Sequence, residues 1–198
     1  MTTHAVLFHS ALGRRPAVLD WAGRLRAEGL AVEAPDLYDG HVYDDLEDGM
    51  AYGNGLGIPE LVRRARVATA HVPGPVLYAG FSGGAAAALA ALLARPESAC
   101  GALLMHGALP LAAFDAQQWP TGVPVELHYA EADPFVDQAA VDALRLDVEA
   151  AGGSYEVFTY PGNAHLFADP GTQEYDRAAA ELMWERVSAF AGSVAGDA

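Results

Sequence analysis

Short apolar runs alternate with longer amphipathic ones along the whole chain. The short runs are Ala5 to Phe8, Leu30 to Ala34, Pro75 to Ala79, Ala99 to His106, Val123 to Tyr129 and Tyr155 to Tyr160. Each is almost continuously apolar and most are bounded by Gly, Pro or Asp, which predicts strands buried on both faces. Between them, Ala17 to Glu28 carries Val18, Leu19, Ala22 and Leu25 at helical spacing, and Gly29 follows as a C-cap. Helices are also predicted over Pro59 to His71, with proline in the first turn, and over Ala85 to Arg95, Asp137 to Ala151 and Thr172 to Phe190. Tyr38 to Gly57, polar and rich in glycine, reads as a loop, as does Gly107 to Gly122. Residues 191–198 read as a frayed tail.

Continuously apolar strands separated by helices imply α/β architecture: a parallel sheet covered on both faces. No repeat, low-complexity tract or linker interrupts the 198 residues, so one domain over 1–198 is expected. Ligands of such sheets bind at the carboxyl ends of the strands. The chemistry is therefore to be sought in the residues just after each strand.

Composition narrows the partners. With 26 acidic against 11 basic residues, the net charge is −15, and every basic residue is arginine. A field of that sign repels phosphate backbones and anionic membranes, which argues against nucleic acid and membrane partners. Cys100 is the only cysteine, so no intrachain disulfide forms, and its apolar surroundings predict a buried core residue. The N-terminus has no basic region ahead of a long apolar stretch, and no run is long enough to span a membrane. A cytoplasmic protein, monomer or weak homodimer, is expected.

The third strand runs into Gly80-Phe81-Ser82-Gly83-Gly84, and an alanine-rich helix follows. This is the strand–turn–helix setting of a G-x-S-x-G nucleophile elbow. Glycines relieve the crowding at such a turn, and the serine hydroxyl emerges at a helix N-terminus that favours negative charge. A serine that merely caps the helix is the plainer alternative. Glu131-Ala132-Asp133-Pro134 follows the fifth strand, and Pro161-Gly162-Asn163-Ala164-His165 follows the sixth. The order Ser82, Asp133, His165 is that of a triad in which histidine takes the serine proton and a carboxylate orients the imidazole. Asp137 competes with Asp133 for the acidic role, although Asp133 follows the strand more closely. Of the other histidines, His9 and His106 also reach the carboxyl edge, where they are placed to line a pocket. The oxyanion donors expected are the backbone N–H groups of Gly83, after the nucleophile, and Ala11, in the loop after the first strand. No His, Cys or Asp cluster has metal-ligand spacing, and no metal or cofactor is expected.

From Val6 to Phe190 the chain resembles the dienelactone hydrolase family of α/β-hydrolases. The similarity is carried by Ala34-Pro35-Asp36-Leu37-Tyr38, by the elbow, by His128 to Val136 around Asp133, and by Tyr160 to Phe167 around His165. The resemblance implies a three-layer α/β-hydrolase fold reduced to a six-stranded parallel sheet in the order 2-1-3-4-5-6. The departures are informative. The family's cysteine nucleophile is replaced by Ser82, and its first-loop glutamate by Ser10. Asp169 stands where an arginine helps to hold a substrate carboxylate, and the loop after Tyr38 is shorter and acidic, with Asp44, Asp45, Glu47 and Asp48.

The expected activity is hydrolysis of a small, neutral carboxylic ester, lactone or thioester through Ser82, His165 and Asp133, with Ser10, Leu12, Phe81, Phe114, Trp119, Phe135 and Leu166 as pocket walls. Acyl transfer by the same triad, and a non-catalytic binding protein of the same fold, are the alternatives. The first differs in its acceptor, and the second commonly lacks a triad member, whereas all three are present here.

Overall fold

The computed structural model describes residues 2–196. Six strands, β1 (His4–Phe8), β2 (Ala31–Glu33), β3 (Val76–Phe81), β4 (Ala99–Met105), β5 (Val125–Ala130) and β6 (Tyr155–Tyr160), form one sheet in the order β2-β1-β3-β4-β5-β6. Every neighbouring pair is parallel. Parallel pairing needs a crossover between consecutive strands; helices supply it except between β4 and β5, which are joined by an irregular segment with one 3-10 turn at Leu111–Phe114.

Side chains alternate between two apolar layers. On one face Val6, Phe8, Tyr78 and Leu104 pack with α3 (Ile58–Thr69), α4 (Gly83–Ala94) and α5 (Gln138–Ala150). On the other, Leu7, Leu77, Leu103 and Met105 pack with α1 (Pro16–Ala27) and α6 (Arg177–Gly196). Both faces of the inner strands β1, β3, β4 and β5 are buried, which is why they read as apolar runs, whereas the edge strand β6 exposes Glu156 and Thr159, so the expectation of full burial fails there.

Three sequence expectations are corrected. The supposed loop Tyr38 to Gly57 contains an eleven-residue helix, α2 (Leu46–Leu56). Asp45 caps it, accepting hydrogen bonds from Glu47 N–H at 2.8 Å and Asp48 N–H at 3.2 Å, and Glu47 and Asp48 suit its positive end. Two of its glycines are sites of close approach. A Cβ at Gly49 would collide with the Ala11 carbonyl oxygen, and one at Gly53 with the Tyr38 hydroxyl. The last helix begins five residues later than its periodicity predicts, because Asp176 caps it through Ala178 N–H and Ala179 N–H. It also continues to Gly196, with Ala191 and Val194 extending the buried stripe of Ala180, Met183 and Val187. The expected fray is therefore helix over 191–196, and residues 197–198 lie outside the described range. Cys100 is only partly buried, at the start of β4 and so at the sheet end opposite the elbow. Burial pushes its thiol up to about 11.

Candidate active site

The elbow is built by close packing. Gly80 ends the tightest part of β3, where a Cβ would collide with the Gly84 carbonyl oxygen, and a Cβ at Gly84 would meet the Phe8 and His9 carbonyl oxygens. Without side chains there, the chain turns directly from β3 into α4. Ser82 sits at the turn with φ 53° and ψ −117°, a positive φ that costs a non-glycine residue of order 1–3 kcal/mol. Its N–H donates to the Met105 carbonyl at 2.7 Å, and its carbonyl accepts from Ala85 N–H at 2.8 Å. The side chain makes no capping bond. It points instead to His165.

His165 Nε2 lies 2.8 Å from Ser82 Oγ, and His165 Nδ1 lies 2.8 Å from Asp133 Oδ2. A carboxylate accepts, so Nδ1 carries the proton and Nε2 offers its lone pair to the serine hydroxyl. The second carboxylate oxygen of Asp133 accepts Phe135 N–H at 2.9 Å, which fixes its rotation. Asp133 and His165 are 7% and 3% exposed, so the pair works away from bulk water. Asp137 is elsewhere: its carboxylate caps α5 by accepting Ala139 N–H. The loop bearing His165 is tied down by Leu166 N–H, which donates to Glu174 at 2.8 Å. The Phe135 ring covers the imidazole, with centroids 4.5 Å apart.

Ala11 and Gly83 flank the serine on the walls of the same cleft. Among the described residues neither backbone N–H has a partner within the chain. The close seat of α2 on Ala11 holds that loop in place, and His9 anchors its other side. His9 Nδ1–H donates to the Ser10 carbonyl at 2.7 Å and Nε2 accepts Leu37 N–H at 2.9 Å. Burial lowers the pKa of His9, consistent with a neutral ring that both donates and accepts.

The cleft holds about 300 Å³ and contains Ser82, His165, Ala11, Gly83 and Phe135. A second, apolar cavity of about 220 Å³ adjoins it, sharing Ala11, Gly83, Tyr38, Ile58 and Leu109, and also receiving Ser10 and Phe114. Phe81 and Leu166 line a smaller chamber behind His106, together with Ser10 and Asp169. Two expected wall residues belong to the core instead. Leu12 is 1% exposed, and Trp119 is buried with its indole N–H donating to the Val123 carbonyl. Sequence reasoning missed Tyr38, Met50, Ile58, Leu61 and Leu109, which line the cleft from α2, α3 and the two loops. The available signal was the exposed apolar residue in a loop or helix start after a strand end, such as Leu109 beside Pro110 and Ile58 beside Pro59.

His106 follows β4 with φ 65°, is 1% exposed, and has no partner for either ring nitrogen among the described residues. Burial, with His165 and His128 nearby, lowers its pKa well below the ordinary imidazole value, so its ring is neutral. Asp169 does not face Ser82. It pairs with Arg15, Nε to Oδ2 3.8 Å, and accepts Gly171 N–H. Asp44 also lies 3.7 Å from Arg15, and Asp45 caps α2. These acidic departures from the family pattern are thus engaged elsewhere and do not line the cleft. Neither cavity has Arg, Lys, Asp or Glu in its wall. The described residues contain no group of three or more His, Cys, Asp or Glu placed to hold a metal ion.

A parallel sheet in this order, wrapped by helices on both faces and carrying a serine at the turn after its central β3, is the α/β-hydrolase class of fold. Within it, the chain belongs to the dienelactone hydrolase family, whose model matches residues 3–194. It is a hydrolase by that membership. Among solved structures it is similar to a dienelactone hydrolase-like promiscuous phosphotriesterase from metagenomic libraries, at 24% identity over 97% of this chain and 86% of the other, TM-score 0.79. A protein named m3DLH matches at 24% identity over 98% and 87%, TM-score 0.77. A dienelactone hydrolase from Anabaena variabilis matches at 23% over 95% and 85%, TM-score 0.59. No match is found among curated proteins.

Proposed function

We propose that the chain is a serine hydrolase of a small, neutral carboxylic ester, lactone or thioester. One observation carries the reading: the unbroken chain Ser82, His165, Asp133, with 2.8 Å at each link. His165 takes the hydroxyl proton as Ser82 Oγ attacks the carbonyl carbon. The developing oxyanion is received by Ala11 N–H and Gly83 N–H, which have no other partner among the described residues. His165 then passes the proton to the leaving oxygen or sulfur, and the Ser82 acyl ester forms. Water, activated by the same imidazole, releases the acid. Asp133 keeps Nδ1 protonated and stabilises the imidazolium. No step calls for a cofactor.

A neutral substrate is supported by the uncharged walls, because a carboxylate buried there would lack a cation. Arg63, which could have supplied one, is paired with Glu60, and Arg14 donates to the Ala34 carbonyl. No described helix is long and apolar enough to cross a membrane. Our reading places the enzyme in the cytoplasm, as a monomer or weak homodimer, away from nucleic acid and membranes.

The test is turnover of a neutral ester and its carboxylate-bearing analogue by wild-type protein and by Ser82→Ala. The neutral ester is expected to have the higher kcat/KM. Ser82→Ala is expected to lose on the order of a thousandfold or more, with little change in Tm. Retention of more than about a tenth of the activity would remove Ser82 as nucleophile. A preference for the anion would remove the neutral-substrate reading.

A further inference from the structure

The apolar cavity beside the catalytic cleft has a direction that the triad defines. It contains Ala11 and Gly83 but neither Ser82 nor His165, so it opens on the oxyanion side of the nucleophile, away from the base. In the tetrahedral intermediate the carbon bears Ser82 Oγ, the oxyanion, the leaving group and the acyl substituent. The leaving atom must face His165, because it receives its proton there. The substituent left to point away from His165 is the acyl chain.

We infer that this cavity is the acyl-chain site, and that the enzyme selects esters with an unbranched, apolar acyl group of medium length. The inference rests on the serine hydrolase reading above. The cavity runs between α3, α4 and the loop after β4, and Val62, Ala87, Ala113 and Phe114 line the part of it that the cleft does not share. The small side chains of Ala86 and Ala87 on α4 leave the room, and the apolar residues supply its walls. At roughly 30 Å³ per heavy atom, 220 Å³ accommodates roughly seven atoms of chain. Three apolar residues at the mouths are left unusually open to solvent: Met50, Ile58 and Leu109, at 39%, 74% and 38% exposure. A bound chain covers part of that surface, which a protein otherwise keeps from water.

Burial of each methylene raises kcat/KM by about fourfold if the gain is realised in the transition state. The experiment measures kcat/KM for p-nitrophenyl esters of acetate, butyrate, hexanoate, octanoate and dodecanoate. A second series holds acetate constant and lengthens an alkyl alcohol. Wild type, Val62→Trp and Ala87→Leu are compared by the octanoate-to-acetate ratio. Val62 is half-buried on α3, which tolerates the larger ring if the tighter Ala87 position does not. Expected is a rise through hexanoate or octanoate, a fall by dodecanoate, and a ratio at least tenfold lower in the variants. The alcohol series is expected to be nearly flat. An active enzyme with a flat acyl series, a chain-length effect that follows the alcohol instead, or variants with an unchanged ratio would overturn the acyl site while leaving the serine hydrolase standing. No turnover of any ester would overturn both.

Discussion

Asp133 and Asp137 lie four residues apart in one loop and do different work. One carboxylate accepts His165 Nδ1–H, and the other accepts Ala139 N–H at the start of α5. The division predicts opposite outcomes for the same substitution. Asp133→Asn presents a neutral amide to the imidazole and is expected to cost on the order of 10³–10⁴ in kcat with a modest change in stability. Asp137→Ala removes a cap and is expected to cost about 1 kcal/mol of stability while kcat stays near wild type. Denaturation midpoints and ester turnover on both variants check this, and a reversal of the two phenotypes would exchange the roles. At this scale the three triad candidates were legible in the sequence, because the elbow glycines and the residues closing β5 and β6 are set by local geometry. Leu12 and Trp119 were not. A large apolar side chain near a strand end can turn inward or outward, and only packing decides which.

Among the elements, α2 is the one whose role the sequence disguised. Gly49, Gly53 and Gly55 lower helix propensity, and with the acidic run they resemble a loop. Gly49 and Gly53 instead let the helix press onto Ala11 and Tyr38. Low propensity and close approach have the same signature in sequence, and they separate only when the neighbour is seen. The packing ties α2 to the loop after β1 that bears Ala11, the proposed oxyanion donor. Gly49→Val is therefore expected to displace Ala11 and to lower kcat tenfold or more, with His165 and Ser82 untouched. Gly55→Ala, where a Cβ meets open space, is the control and is expected to leave kcat unchanged. Equal effects from both would show that α2 acts through its general stability. The start of α6 was hidden for a related reason. The Thr172–Asp176 stretch satisfies its backbone by turns around Asp169 and Phe167, which periodicity does not register.

For the molecule as a whole, the parallel sheet could be read from apolar runs, and its strand order from the family resemblance. The burial of His9, His106 and His128 could not. His9, His106 and His128 are buried, and desolvation lowers the pKa of each below 6.5. Below about pH 6.5 the unfolded chain takes up protons that the folded chain refuses, so stability falls as pH falls. Each histidine contributes a slope of up to about 1.4 kcal/mol per pH unit until its folded form also protonates. Urea denaturation between pH 7.5 and 5 is expected to show a steep loss, shallower by about one proton in His106→Phe. Stability that stays constant across that range would contradict the neutral burial of these rings.

If Ser82 is a nucleophile activated by His165 and Asp133, it reacts with a fluorophosphonate, and peptide mass spectrometry locates the adduct. A single adduct is expected, on Ser82, that forms much more slowly in His165→Ala and is suppressed by a competing ester. An unlabelled Ser82 in folded protein, or an adduct that forms equally fast without His165, would contradict it.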